Sequence, residues 1–205
     1  MTGKNIFKSK RIILFFILTV GGFYLFLTYP YFIEFLKLES LTGSRIKYTL
    51  DEEAAGAIAI KPASARFGLT VLEIGLNKPI TEGVDFYDPK KLNPALRQGL
   101  AHVLNSSVPG RFGKVVIVGH PLRDIFNFNR FNPEFYLIGR LKVDDVITLF
   151  YQNKRFEYRV VSKKQASPSY LDFFDSGQGR GLVLVSGFPP GTAIRFLVVE
   201  AEEIR

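Results

Sequence analysis

The sequence predicts a mainly β domain carried behind an N-terminal membrane-spanning helix. Two observations predict it. An apolar run without a charge occupies residues 12–33, and from Phe67 onward short β-type runs alternate with closely spaced turn signals. The last two of those runs, Leu182–Val185 and Phe196–Val199, flank Pro189-Pro190-Gly191, which cannot continue a hydrogen-bonded ladder and must form a loop.

The N-terminal helix comes first. The chain has 205 residues, room for one ordinary domain and a short appendage, and at 47% hydrophobic with 20 Phe it is too apolar for disorder. Ile12 to Ile33 spans 22 residues, against the roughly 20 that a spanning helix needs. No polar face interrupts it, as a helix lying on a soluble core would require. It exceeds the h-region of a cleaved signal peptide, and no A-x-A-like site follows. Lys4, Lys8, Lys10 and Arg11 precede the run, whereas Glu34, Lys37 and Glu39 follow it, which predicts a single-pass protein of the cytoplasmic membrane with its N-terminus inside. The expected organisation is a cytoplasmic segment at 1–11, the anchor at 12–33, a stalk at 34–65 and an extracytoplasmic domain at 66–205.

The formal net charge is +8, but four of the positive charges are the residues before the anchor. The remaining domain is mildly basic, which suits an anionic envelope or membrane surface, or simply a solvated exterior. Nucleic acid is not expected as a partner. The chain has no cysteine, so disulfides and thiol chemistry are excluded. Asp172 and Asp175 fall short of a metal-ligand set, and no cofactor is expected.

Along the domain, residues 40–65 mix polar and Ala-rich composition without a sustained period, with helix possible around Leu50–Ile58. Phe67 to Ile80 alternates and pauses as a strand pair would. Asp88 to Val103 predicts the one soluble helix, with Leu92, Leu96, Leu100 and Val103 at helical spacing and His102 near its end, where a histidine caps or packs. Val115 to Val118 is an apolar strand leading into Gly119-His120. In the following loop Phe126, Phe128, Phe131 and Phe135 interleave with Asn127, Asn129, Arg130 and Asn132, a pattern that packs back onto the domain or grips an extended peptide. Val146–Tyr151 and Phe156–Val161 form a hairpin across Gln152-Asn153-Lys154, and Ser162 to Gly181 is a polar connection to the final pair of runs.

Three of these segments, taken together, resemble the sortases, membrane-anchored cysteine transpeptidases of bacterial cell surfaces. Val115-Val-Ile-Val-Gly-His120 is similar to the family's T-[IV]-x-G-H strand. Leu182-Val-Leu-Val-Ser186-Gly187-Phe188-Pro189-Pro190-Gly191-Thr192-Ala-Ile-Arg195-Phe196 is similar to T-L-x-T-C-x-P-P-G-T-x-x-x-R. Phe67-Gly-Leu-Thr-Val-Leu-Glu-Ile-Gly-Leu-Asn-Lys-Pro-Ile80 is similar to F-x-I-x-I-P-K-I-G-V-x-x-P-I, with Leu72 where a proline is common. Leu141-Lys-Val-Asp-Asp145 resembles L-K-x-G-D, and Gly99-Leu-Ala-His102 resembles G-V-A-H, which would bring His102 near the cleft. The resemblance implies an eight-stranded β-barrel of sortase type with one or two short helices, covering about Phe67 to Arg205.

It also implies three catalytic roles: a cysteine thiolate that attacks a peptide carbonyl, a histidine that handles protons and an arginine that stabilises the oxyanion. Only the histidine matches, as His120. The cysteine position holds Gly187, which offers no nucleophile. Ser186 is the nearest substitute, one position early and therefore expected on the opposite face unless a bulge re-aims it. Counting from Gly187, the arginine position falls on Phe196; Arg195, one residue early, is the shifted candidate and would reach the cleft only if a bulge restores its face. The expected function is a sortase-like pseudoenzyme at the cell surface, binding peptide or a surface-assembly partner through a groove lined by His102, His120, Phe126, Phe128, Phe131 and Phe188. The alternatives are an active transpeptidase or hydrolase with a displaced nucleophile, and a structural envelope subunit.

Overall fold

The computed structural model describes residues 10, 13–24, 61–119, 133–167, 179–188 and 195–204. The chain forms two units, residues 1–40 and 41–205. In the first, residues 13–24 are helical with Ile13, Phe15, Phe16 and Phe23 exposed, and Thr19 Oγ1 donates to the Phe15 carbonyl at 2.8 Å. Among the described residues no helix is long and apolar enough to cross a membrane. Ile12 and residues 25–33 of the expected span, and the stalk through residue 60, lie outside the described residues.

The second unit is a closed barrel of eight strands: β1 (Phe67–Val71), β2 (Leu76–Val84), β3 (Leu100–Val103), β4 (Gly113–Val118), β5 (Val146–Tyr151), β6 (Lys154–Ala166), β7 (Arg180–Phe188) and β8 (Arg195–Glu203). Around the barrel the order is β1-β2-β3-β4-β7-β8-β6, closing through β5 onto β1. The β2–β3 and β4–β7 pairs are parallel and the rest antiparallel. Parallel neighbours need crossovers, and the helix α1 (Pro89–Gln98) supplies the first. Asp88 caps it by accepting from the Lys90 amide, and Pro89 fits the first turn, where no donor is required.

The predicted helix is shorter than its apolar spacing suggested. Gly99 ends it, and Leu100–Val103 is strand β3, buried along its whole length between β2 and β4. A run buried on both faces carries no period that separates helix from strand, so Leu100 and Val103 matched the helical spacing by coincidence. The polar connection also begins later than predicted, because β6 continues through Ser162 to Ala166 against β8. A register shift between Val160 and Ser162 leaves Val161 as the extra residue, so the inward positions change from even to odd numbers. The β1–β2 pair, the β5–β6 hairpin and the β7–β8 pair stand as expected.

Directly paired residues share a face, so the ladders sort the core into two layers. Leu69, Ile117, Ile147, Leu149, Leu182, Leu184 and Val199 point into the barrel and are fully buried. A second apolar layer lies on the outside of β3, β4, β7 and β8: Ala101, Val103, Val116, Val118, Val183, Val185, Phe196 and Val198, continuous with Leu92, Ala95 and Leu96 of α1. A 3-10 turn at Pro133–Arg140 brings Phe135 and Ile138 into burial at the end of the barrel where β4 and β7 finish, the Phe135 ring lying against Gly119.

Candidate functional site

The two strands that lead to Gly119 and Phe188 lie side by side. Val116 pairs with Val183 and Val118 with Val185 in the parallel β4–β7 ladder, and Val185 pairs with Val198 and Gly187 with Phe196 in the antiparallel β7–β8 ladder. All of these side chains project from the outer face. They make an apolar floor whose residues Val118, Val185 and Val198 are 0% exposed and Phe196 2%. His120, Phe126, Phe128, Phe131 and residues 189–194 lie outside the described residues.

The β7–β8 ladder runs from Gly181–Glu202 to Phe188–Arg195 with no register shift. No bulge re-aims Ser186 or Arg195. Ser186 therefore projects inward with Leu184, directly paired with Leu197, and its hydroxyl is fully buried without a hydrogen-bond partner among the described residues. A substrate on the outer face cannot reach it. Arg195 is exposed and pairs with the half-buried Phe188, one step out of phase with Gly187. Gly187 and Phe196, the positions that the motif resemblance sets against the cysteine and the arginine, are direct cross-strand neighbours. Nine residues of separation in sequence thus become one contact distance in space, and the contact holds a hydrogen atom and a phenyl ring.

His102 belongs to the barrel interior. It pairs with Ile117 on the inward face, is 3% exposed and packs its ring 5.5 Å from that of Phe67. The Gly83 amide donates to Nδ1 at 3.2 Å, which fixes the proton on Nε2, and Nε2 donates to the Ser107 carbonyl at 2.8 Å. Ser106 Oγ lies 2.9 Å from the same Nε2, but it donates to the Val103 carbonyl at 2.7 Å. With Nδ1 occupied and Nε2 protonated, the ring has no lone pair for that hydroxyl, so the pair is not a nucleophile and base. Burial lowers the His102 pKa against the opposing pull of the Ser107 carbonyl and Glu82. The structure thus gives His102 a packing role at the foot of β3 rather than a place on the cleft floor.

One polar cluster on the outer face was not foreseen. Glu200, two residues along β8 from Val198, accepts from Ser162 Oγ at 2.9 Å and Lys164 Nζ at 3.1 Å, with Lys114 Nζ at 3.8 Å. Burial pushes its carboxyl up, but these hydrogen bonds and charges outweigh it and hold the pKa below the ordinary value. The signal was the period of β8 itself, which puts Phe196, Val198 and Glu200 on one face. Among the described residues no group of His, Asp and Glu could hold a metal ion.

A closed eight-stranded barrel defines the architecture, and comparison with known proteins assigns it. A family model described as Sortase domain matches residues 69–204. Among solved structures, the chain is similar to a Clostridium perfringens sortase D5 transpeptidase, at 23% identity and TM-score 0.55 over 72% of this chain and 83% of that one. It is similar also to sortase E from Streptomyces avermitilis, at 21% identity and TM-score 0.54 over 69% and 90%. A third match is sortase C-1 from Actinomyces oris, at 18% identity and TM-score 0.58 over 82% and 98%. No curated protein matches. The chain belongs to the sortase family.

Proposed function

We propose that this chain is a membrane-anchored sortase-family pseudoenzyme that binds an extended peptide or a surface-assembly partner at the extracytoplasmic face. The observation that carries the reading is the Gly187–Phe196 pair. Transpeptidation needs a nucleophile and an oxyanion donor projecting from one face within reach of one carbonyl, and the two paired positions supply neither. The absence of any cysteine in the chain removes a displaced thiol, and Ser186 is buried on the other side of the sheet. The uncharged Ile12–Ile33 run, its cationic leading flank and the exposed apolar side chains of residues 13–24 support the anchor.

The test is to expose the full chain in detergent to an extended peptide bearing a carbonyl electrophile, and to follow intact mass and peptide binding in parallel. The proposal expects no covalent adduct, together with reversible binding that Phe126→Ala or Phe131→Ala weakens and Ser186→Ala leaves unchanged. A covalent adduct abolished by Ser186→Ala would overturn it. Absence of peptide binding combined with a stable complex with other envelope proteins would favour a structural subunit instead.

A further inference from the structure

The barrel end away from the β7–β8 turn carries a second surface. There the Val108–Phe112 turn, the β5–β6 hairpin and the start of β7 border an open hollow of about 450 Å³ lined by Glu82, Pro109, Arg111, Tyr151, Lys154 and Arg180. Among the described residues, three carboxylates of this end are already engaged, and a fourth, Glu202, is not. Glu82 accepts from the Tyr151 hydroxyl at 2.8 Å, Glu157 pairs with Arg155, and Glu203 lies 3.7 Å from Arg180. Glu202, exposed, lines the neighbouring cavity together with Phe112 and Lys114.

By contrast Arg66, Arg111 and Lys154 are exposed and have no ion-pair partner among the described residues. Beside them stands Phe112, 79% exposed, with the Arg180 guanidinium 5.5 Å from its ring centre. Unpaired cations around a protruding aromatic ring suit an interface that is anionic at its surface and apolar just beneath. The chain also enters the barrel here, because the Ala65 and Arg66 carbonyls accept from the Asn153 and Gln152 amides of the β5–β6 hairpin.

We propose that this end, built from Arg66, Arg111, Phe112, Lys154 and Arg180, docks on anionic phospholipid headgroups. Docking there turns the β7–β8 end away from the bilayer. The inference rests on the membrane-anchored reading above, which fixes the bilayer as the surface within reach of the chain. It would make the orientation of the domain depend on lipid charge and ionic strength.

The absence of native cysteine allows clean single-site labelling. Ala65→Cys and Glu73→Cys, at opposite ends of β1 and both exposed, would each carry a fluorophore on the full chain. Both would be placed in phosphatidylcholine vesicles with or without phosphatidylglycerol, with a nitroxide-headgroup lipid as quencher. The proposal expects phosphatidylglycerol to increase quenching at position 65 several-fold and not at position 73. Added salt, or the triple variant Arg66→Gln, Arg111→Gln, Lys154→Gln, should cancel the increase. Equal quenching in both lipids, equal quenching at both positions or an unaffected triple variant would overturn it. Flotation of the unlabelled chain separates the two readings. Failure to float with phosphatidylcholine vesicles defeats the anchor, and flotation with phosphatidylglycerol vesicles that the triple variant abolishes would still support this surface. No flotation with either lipid overturns both.

Discussion

Gly187 on β7 and Phe196 on β8 are direct cross-strand partners on the outer face of the barrel, in a ladder that runs unshifted over all eight pairs between Gly181–Glu202 and Phe188–Arg195. Because the register is continuous, the chemistry at the two positions can be altered independently of the fold around them. A thiol placed at position 187 would stand among Val185, Val198 and Phe196, and apolar surroundings raise a thiol pKa. Gly187→Cys should therefore alkylate slowly at neutral pH. Adding Phe196→Arg puts a cation beside the thiol and should move the alkylation profile to lower pH, measured as iodoacetamide labelling rate against pH. The same second change buries a guanidinium in an apolar layer and should lower the melting temperature.

Ser186→Ala should not destabilise the protein. The hydroxyl is fully buried without a partner among the described residues, so the native state carries its desolvation cost with no hydrogen bond from them to offset it. Removing one oxygen from that site should leave stability unchanged or raise it by about 1 kcal/mol, read from the denaturant midpoint at constant m-value. A loss of more than that would show that the hydroxyl is engaged in solution.

His102 makes the barrel acid-sensitive. Its folded pKa is depressed below the model-compound value of 6.5 by burial, so below that pH the unfolded chain binds a proton that the folded chain does not. Stability from this group is fully present above about pH 6.5. It falls as pH drops toward the depressed folded value, below which the group costs nothing further. His102→Gln should give a less stable protein whose unfolding free energy no longer carries this slope between pH 5 and 7, measured by urea denaturation across that range.

Phe135 and Gly119 should behave as one unit. Phe135→Ala empties a fully buried site, a loss of about 3 to 5 kcal/mol. Gly119→Ala drives a methyl group into the phenyl ring and should cost about 1 to 3 kcal/mol. Combining Gly119→Ala with Phe135→Leu should be less damaging than the sum of the two changes alone, because the smaller side chain leaves room for the methyl.

The sequence disclosed the strands that alternate and concealed those that do not. Phe156, Tyr158 and Val160 alternate with charged or exposed neighbours, and the β5–β6 hairpin was read from them directly. Ser186 and Gly187 were assigned to opposite faces by the two-residue period alone, and the unshifted ladder bears that out. Leu100–Val103 concealed its nature because it is buried on both faces. The end of β6 was hidden by Lys163 and Lys164. Lys163 donates to the Gly139 and Leu141 carbonyls and Lys164 to Glu200, partners that no local pattern reveals. The motif resemblance singled out Gly187 and Phe196, but their contact with each other depends on the β7–β8 register, which is set by the whole ladder.

The extra residue in β6 holds the phase of half a strand. Before Val160 the even positions face inward, and after it the odd ones do, because Val161 bulges out of the ladder. Deleting Val161 would make Val160–Ala201 and Ser162–Glu200 consecutive pairs of a regular ladder, so every side chain from Ser162 to Ala166 would keep its face and Glu200 its partners. Forcing Val161 into the ladder opposite Glu200 would instead turn that segment inside out and drive Lys164 toward the barrel interior. The 42% exposed residue is thus safe to lose and costly to pair.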